Sequence, residues 1–167
     1  QMAGTESAYR TQALIMALSH LLRYSLMSND EQVPLSREVR VVDEYYSIYH
    51  VRFGDRVQME WAFSDSLDLT ETMVPSFILQ PIVENAVIHA FGENMRAGRE
   101  CLIRLYGYTE DNVLHLFVED NGEGVPPQTL ETLNSGRRKK DKMTGIGFSH
   151  VKELIEITFG EGYTLEI

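Results

Sequence analysis

The sequence predicts an α+β fold: a two-layer α/β sandwich with helices on one face of a mixed sheet, preceded by an N-terminal helix. Three observations carry this. Residues 57–63 alternate, with Val57, Met59, Trp61 and Phe63 on one face and Gln58 and Glu60 on the other, the period of a half-buried strand. Two more strand-like runs, 100–108 and 113–119, are joined by Thr109-Glu110-Asp111-Asn112, residues suited to a hairpin turn. Runs of helical period lie before, between and after them.

The elements follow in order. Residues 8–27 read as a helix with two apolar stripes, one of Leu14, Leu18, Leu21 and Ser25, the other of Ile15, Leu22 and Leu26. A helix apolar on two sides needs two partners, such as its own domain and a second chain. Ser28-Asn29-Asp30 breaks it. Val33-Pro34 leads into a helix over 35–53 whose inward face is Leu35, Val39, Val42, Tyr46, Tyr49 and Phe53, closed by Gly54. Residues 64–72 read as a polar linker.

The stretch 75–91 is a helix burying Ile78, Ile82, Val83, Ala86 and Val87. Pro75 and Pro81 both suit a first turn, which leaves its start open between Pro75 and Pro81. A loop over 91–99 leads to the hairpin. Residues 129–133 make one helical turn. Ser149 caps a last helix with Val151, Leu154, Ile155 and Phe159 inward, Gly160 closes it, and 163–167 start a strand.

Bulk properties narrow the function. The 167 residues suffice for one domain and an extra element, and 43% hydrophobic content builds a core. No apolar run approaches the roughly 18 residues of a spanning helix, and the opening residues lack a signal-peptide pattern. The lone Cys101 excludes an intrachain disulfide, fits a reducing compartment, and reads as a small hydrophobe in a strand. A net charge of −10 argues against nucleic-acid binding. A polyanionic ligand then has to be held by local features and a cation.

Four stretches carry possible chemistry. Glu84, Asn85 and His89 lie off the apolar face of their helix, Asn85 and His89 one turn apart. A carboxylate and an amide on a rigid helix suit a site as well as a solvated edge. Asp120-x-Gly122-x-Gly124 comes straight off a strand: the aspartate can accept from an exocyclic amine, and the glycines let backbone approach a flat ring. By itself the same pattern is an ordinary turn. Gly145-x-Gly147 opens a helix, where free N–H groups make an anion site, without the pattern of a Walker A loop or a dinucleotide fingerprint. The basic run 137–142 either screens phosphate charge or is a solvated loop.

The conjunction is more specific than its parts. Glu-Asn on a helix, a hairpin, Asp-x-Gly-x-Gly, a basic loop and Gly-x-Gly opening a helix, in this order, resemble the ATP-binding (Bergerat) domain of the GHKL superfamily (gyrase, Hsp90, histidine kinase, MutL). Within it the chain is similar to two-component sensor histidine kinases of the YesM/LytS type. Glu84-Asn85-Ala86-x-x-His89 after Leu79-Gln80-Pro81 resembles the N box, Asp120-Asn121-Gly122-Glu123-Gly124 the G1 box, and Gly145-Ile146-Gly147-Phe148 the G2 box. Leu21 to Leu26, Val33-x-Leu35-x-x-Glu38 and Tyr49-x-x-Arg52-Phe53 resemble the helices that precede them.

The resemblance implies ATP and Mg²⁺ as ligands. Asn85 is then the metal ligand, and Asp120 reads the adenine amino group beside Gly122 and Gly124. Gly145, Ile146, Gly147 and Phe148 line the phosphates, Glu84 orients or deprotonates a water or an acceptor imidazole, and His89 supports the site or is simply a satisfied structural histidine. It also implies residues 1–28 as a helix left from the dimerisation and phosphoacceptor region, and 29–167 as the catalytic domain.

The sequence departs from the family in places. None of His20, His50, His89, His115 and His150 stands in the family's Asn-Pro-His-Phe context, so the acceptor histidine is expected outside these residues, and the last strand of the domain is expected to be missing. Ile88 stands for a lysine, Ala90 for a glycine and His150 for an asparagine. The reading is a kinase domain serving a response regulator, homodimeric in the full-length protein and cytoplasmic, with any membrane anchor in other segments. The alternatives are a non-catalytic nucleotide-binding or dimerisation module and, because Pro81 replaces the water-activating glutamate of the superfamily's hydrolases, less readily a hydrolase.

Overall fold

The computed structural model describes residues 11, 15, 31–96, 98–127, 130–131, 146–160 and 163–167, with backbone alone at 52, 89–96, 146 and 147. The elements are β1 (Gln32–Pro34), α1 (Leu35–Phe53), β2 (Val57–Phe63), β3 (Met73–Pro75), α2 (Gln80–Arg96), β4 (Cys101–Glu110), β5 (Val113–Asp120) and α3 (Ile146–Phe159). The helix expected over 8–27 lies outside the described residues except Thr11 and Ile15, both helical.

The main sheet has the order β2-β4-β5. β2 runs parallel to β4, with Val57 opposite Cys101 and Trp61 opposite Leu105. A parallel pair needs a crossover, and α2 is part of it. β4 and β5 are antiparallel, Glu110 opposite Val113. Their turn is shorter than the four residues expected: only Asp111 (φ 49°) and Asn112 (φ 64°) make it. Both central residues at positive φ give a turn whose twist matches the strands, and aspartate and asparagine tolerate it best after glycine.

Cross-strand neighbours share a face, so the register sorts the sheet. Cys101, Ile103 and Leu105 are buried on the side where α2 packs, together with Val57. Met59, Trp61, Leu114, Leu116 and Val118 pack around them. The helices α2 and α3 lie against each other over this layer. Cys101 is buried, as a small hydrophobe in a strand should be, and burial pushes its thiol pKa up.

The opposite face carries a polar and aromatic ladder. Arg104 donates from Nε to Glu60 Oε2 at 2.9 Å, and the Tyr106 hydroxyl donates to Glu119 at 2.6 Å. Tyr106 stacks on Phe117 and Tyr108 on His115, each pair 4.7 Å apart.

Several boundaries differ from expectation. β1 and β3 form a small antiparallel ribbon. Pro75 ends β3 rather than opening a helix, since a proline biases the residue before it, Val74, to extended backbone. α2 begins at Gln80, with Pro81 in its first turn where a missing N–H costs nothing. It also runs on to Arg96 through Gly92, within the expected loop; one glycine costs a helix only about 1 kcal/mol.

α3 starts at Ile146, so Ser149 lies inside it rather than capping it. Phe148 and Val151 are both buried, three residues apart, and the helix has to be wound by then to turn both inward. Gly160 does close it, at φ 72°, its N–H donating to Glu156 O. Residues 163–167 form no strand; Leu165 packs on the core instead. Pro127, Leu130 and Glu131 are helical, close to the expected turn.

On α1 the inward face is Leu35, Glu38, Val42 and Tyr45, with Val39, Tyr46, Tyr49 and Phe53 flanking it half-buried. Glu38 is fully buried, which the apolar pattern had passed over.

Candidate functional site

Asp120 is the last residue of β5 and pairs with Ile103. The two therefore share the helix-covered face. Yet Ile103 is 2% exposed while Asp120 is open to solvent. The cover stops short of this strand end and leaves the carboxylate open to solvent on the helix-covered side.

That carboxylate is oriented by its own turn. Its Oδ1 accepts the Gly122 N–H at 2.8 Å, the short-range bond that aspartate makes where a strand turns. Oδ2 is then directed elsewhere. Gly124 sits at φ 75°, which few side chains tolerate. Asn121, which the sequence reading did not single out, clamps the turn to the start of β4. Its Oδ1 accepts the Leu102 N–H at 2.9 Å, its Nδ2 donates to Glu100 O at 3.0 Å, and its backbone N–H donates to Leu102 O. Asn121→Ala is expected to cost about 1–2 kcal/mol in urea unfolding, since two partly solvated hydrogen bonds go; an unchanged midpoint would show the strand end to be held otherwise.

α2 packs on β4 and β5 through Val83, Ala86 and Val87. This leaves Asn85 half-buried at the layer edge and Glu84 exposed. Glu84 lies across from Tyr45 of α1. Burial, the 3.0 Å bond to the Tyr49 hydroxyl and the nearby Glu84 charge together push the Tyr45 phenol far above its ordinary pKa. Tyr45 thus stays neutral beside Glu84 at any working pH. Ile88, where the family carries a lysine, is exposed on α2.

The third group is the start of α3. Ile146 and Gly147 lie in its first turn, where N–H groups have no partner within the helix. Phe148 is 5% exposed and turned into the interior, so its part is packing. Gly145, the basic run 137–142 and the side chain of His89 lie outside what is described. The structure thus places the segments of Glu84-Asn85, Asp120-Gly122-Gly124 and Ile146-Gly147 around one sheet-helix layer. Its donor set suits a magnesium nucleotide: an amide oxygen for a hard cation, a carboxylate for an amine, N–H groups for phosphate.

Of the metal and the nucleotide, comparison with known proteins bears on the nucleotide alone. Residues 75–167 match the model of the histidine kinase-, DNA gyrase B-, and HSP90-like ATPases, and residues 1–57 match a histidine kinase model. The chain belongs to this ATPase family, and an ATPase domain of this kind implies ATP binding. More particularly, the two matches together are those of a histidine kinase, with the ATP-binding domain over residues 75–167. It is 29% identical to the sensor protein LytS of Bacillus cereus over 95% of its length and 26% of that protein. It is 31% identical to the sensor histidine kinase YesM of Bacillus subtilis over 92% of its length and 24% of that protein. It is 27% identical to the sensor histidine kinase YpdA of Escherichia coli over 89% and 25%. The chain spans about a quarter of the length of these relatives. Among the described residues no helix is long and apolar enough to cross a membrane.

Proposed function

We propose that this domain binds Mg·ATP between α2, α3 and the end of β5 and presents the γ-phosphate to a histidine other than its own five. The observation that carries the reading is Asp120: an exposed carboxylate on an otherwise covered face, with one oxygen held by Gly122. Asp120 Oδ2 accepts from the adenine amine, while Gly122 and Gly124 let the backbone lie close to the base. The α3 N-terminus, with Gly145 and Gly147, offers N–H groups to the phosphates. Asn85 would hold the magnesium ion, whose chemistry there would be to offset phosphate charge. Glu84, exposed beside the metal ligand, orients the acceptor imidazole or takes its proton. His89 supports Asn85 from one turn further along α2.

Pro81, one turn before Asn85, offers no carboxylate to activate water, which supports transfer to histidine over hydrolysis. We further place the phosphoryl group on a response regulator after transfer, and the whole protein as a homodimer joined through helices that include residues 1–28. Residues 29–167 then form its cytoplasmic catalytic unit, and any membrane attachment lies in other segments.

The test is a titration with a non-hydrolysable ATP analogue, with and without Mg²⁺, on the wild type and on Asp120→Asn. Because Gly122 N–H needs an oxygen, the asparagine keeps its carbonyl there and turns its NH₂ toward the adenine amine, donor against donor. Affinity should fall roughly 10- to 100-fold, the worth of one charged hydrogen bond. Equal affinity in the two proteins, or no binding to the wild type at millimolar analogue, would remove the nucleotide site.

A further inference from the structure

The structure assigns a role to Glu38: we propose that it is a positioning residue that caps α2 from another helix and so sets Asn85 for the metal. This rests on the reading of α2 as the metal-binding helix. Glu38 lies in the first turn of α1, fully buried. Its Oε1 accepts the Phe77 N–H at 2.9 Å and its Oε2 accepts the Leu79 N–H at 3.1 Å, partners 39 and 41 residues away.

Leu79 is the N-cap residue just before α2, its carbonyl accepting the Ile82 and Val83 N–H groups. A helix start leaves N–H groups unpaired, and a side-chain oxygen at that position normally takes one of them. Leu79 has none to give, nor have Phe77 and Ile78. Glu38 supplies the other half of a cap: it accepts the N–H of Leu79 itself and of Phe77 before it, as the glutamate of a capping box does, and puts a carboxylate at the positive end of the helix. It also holds Phe77, whose φ of 65° is unusual for a bulky residue, in the turn that aims the chain into α2.

The arrangement is reciprocal. α1 follows Pro34, which makes no side-chain cap. Its first N–H groups, on Leu35 and Ser36, donate to the carbonyls of Thr72 and Leu69 in the segment leading to α2. Each helix start is thus satisfied by the other's surroundings. Asn85 lies five residues past Gln80, about 7.5 Å along the axis, so loosening the first turn shifts it directly. Asp120 is on β5 and does not depend on this cap.

That separation defines the test. Glu38→Gln keeps the shape but replaces one oxygen by an NH₂ facing an N–H donor. Two readouts are needed: hydrogen exchange of the Phe77 and Leu79 amides without ligand, and analogue affinity with and without Mg²⁺. The amides should exchange about tenfold faster or more, while Leu105 in β4 is unaffected, because only a local opening is made easier. The enhancement of binding by Mg²⁺ should drop about tenfold with the metal-free affinity kept, a split that a general loss of structure would not produce.

Unchanged exchange, or an intact Mg²⁺ enhancement, overturns the role of Glu38. No Mg²⁺ enhancement in the wild type instead overturns the metal-binding reading of α2, while the ligand-free exchange still reports whether Glu38 is the cap. Should Glu38→Gln not fold, the wild type decides: the Mg²⁺ complex should protect the Leu79 amide beyond the metal-free complex, and equal protection overturns the proposal.

Discussion

In Asn85→Ala, Mg²⁺ is expected to lose its effect on nucleotide binding, with affinity for the Mg²⁺ complex falling roughly 100-fold. Under the proposed function Asn85 gives the one protein oxygen that faces the metal, and a methyl group cannot replace it. The fold should survive, because Asn85 is only half-buried and alanine is the better helix former. Metal-free binding should persist, since Asp120 and its turn are untouched. Calorimetric titration with and without Mg²⁺ gives both numbers. Retention of the Mg²⁺ increment would move the metal site off α2. Asn85→Asp is the useful companion: it keeps an oxygen at the same place and should retain most of the increment.

Leu105→Ala is expected to lower stability by roughly 2–5 kcal/mol. Leu105 is fully buried in the central strand, between Trp61 of β2 and Val118 of β5. Truncation leaves a cavity with sheet on two sides and helix above, where backbone pairing prevents collapse. For a chain of this size that is a fall in Tm on the order of 10 °C. A loss under about 1 kcal/mol by urea unfolding would mean that the layer repacks more freely than its register suggests. The two variants separate the site from its scaffold: Asn85→Ala should change binding with the unfolding midpoint kept, and Leu105→Ala the reverse at temperatures where it stays folded.

Much of this was legible before any coordinates. The strand at 57–63 and the helix at 35–53 match their observed bounds, because each is a run with one clear period. The hairpin was legible from its turn, although the strands extend further and the turn is tighter than its polar residues suggested. Asp120 and Asn85 stood out in the sequence because the chemistry that makes them candidates is local to a few residues; their roles remain part of the proposal.

What escaped depends on partners distant in sequence. β1 and β3 are three residues each and have no period to read; they exist because they pair across about 40 positions. Glu38 fits the spacing of Leu35, Val42 and Tyr45, yet a carboxylate on an apolar stripe looks like an interruption until the N–H groups of Phe77 and Leu79 are brought to it. Asn121 looks like a turn residue and proves to be a clamp on β4.

The sequence by itself thus determined most element types and the layer architecture, and nominated the residues proposed to meet a nucleotide, since these follow from periodicity and side-chain chemistry. Only the tertiary structure decided where α2 starts, which face of β5 carries Asp120, and what holds both in place. The reason is that helix starts and strand ends leave backbone groups unpaired, and their partners are chosen by packing rather than by neighbouring residues.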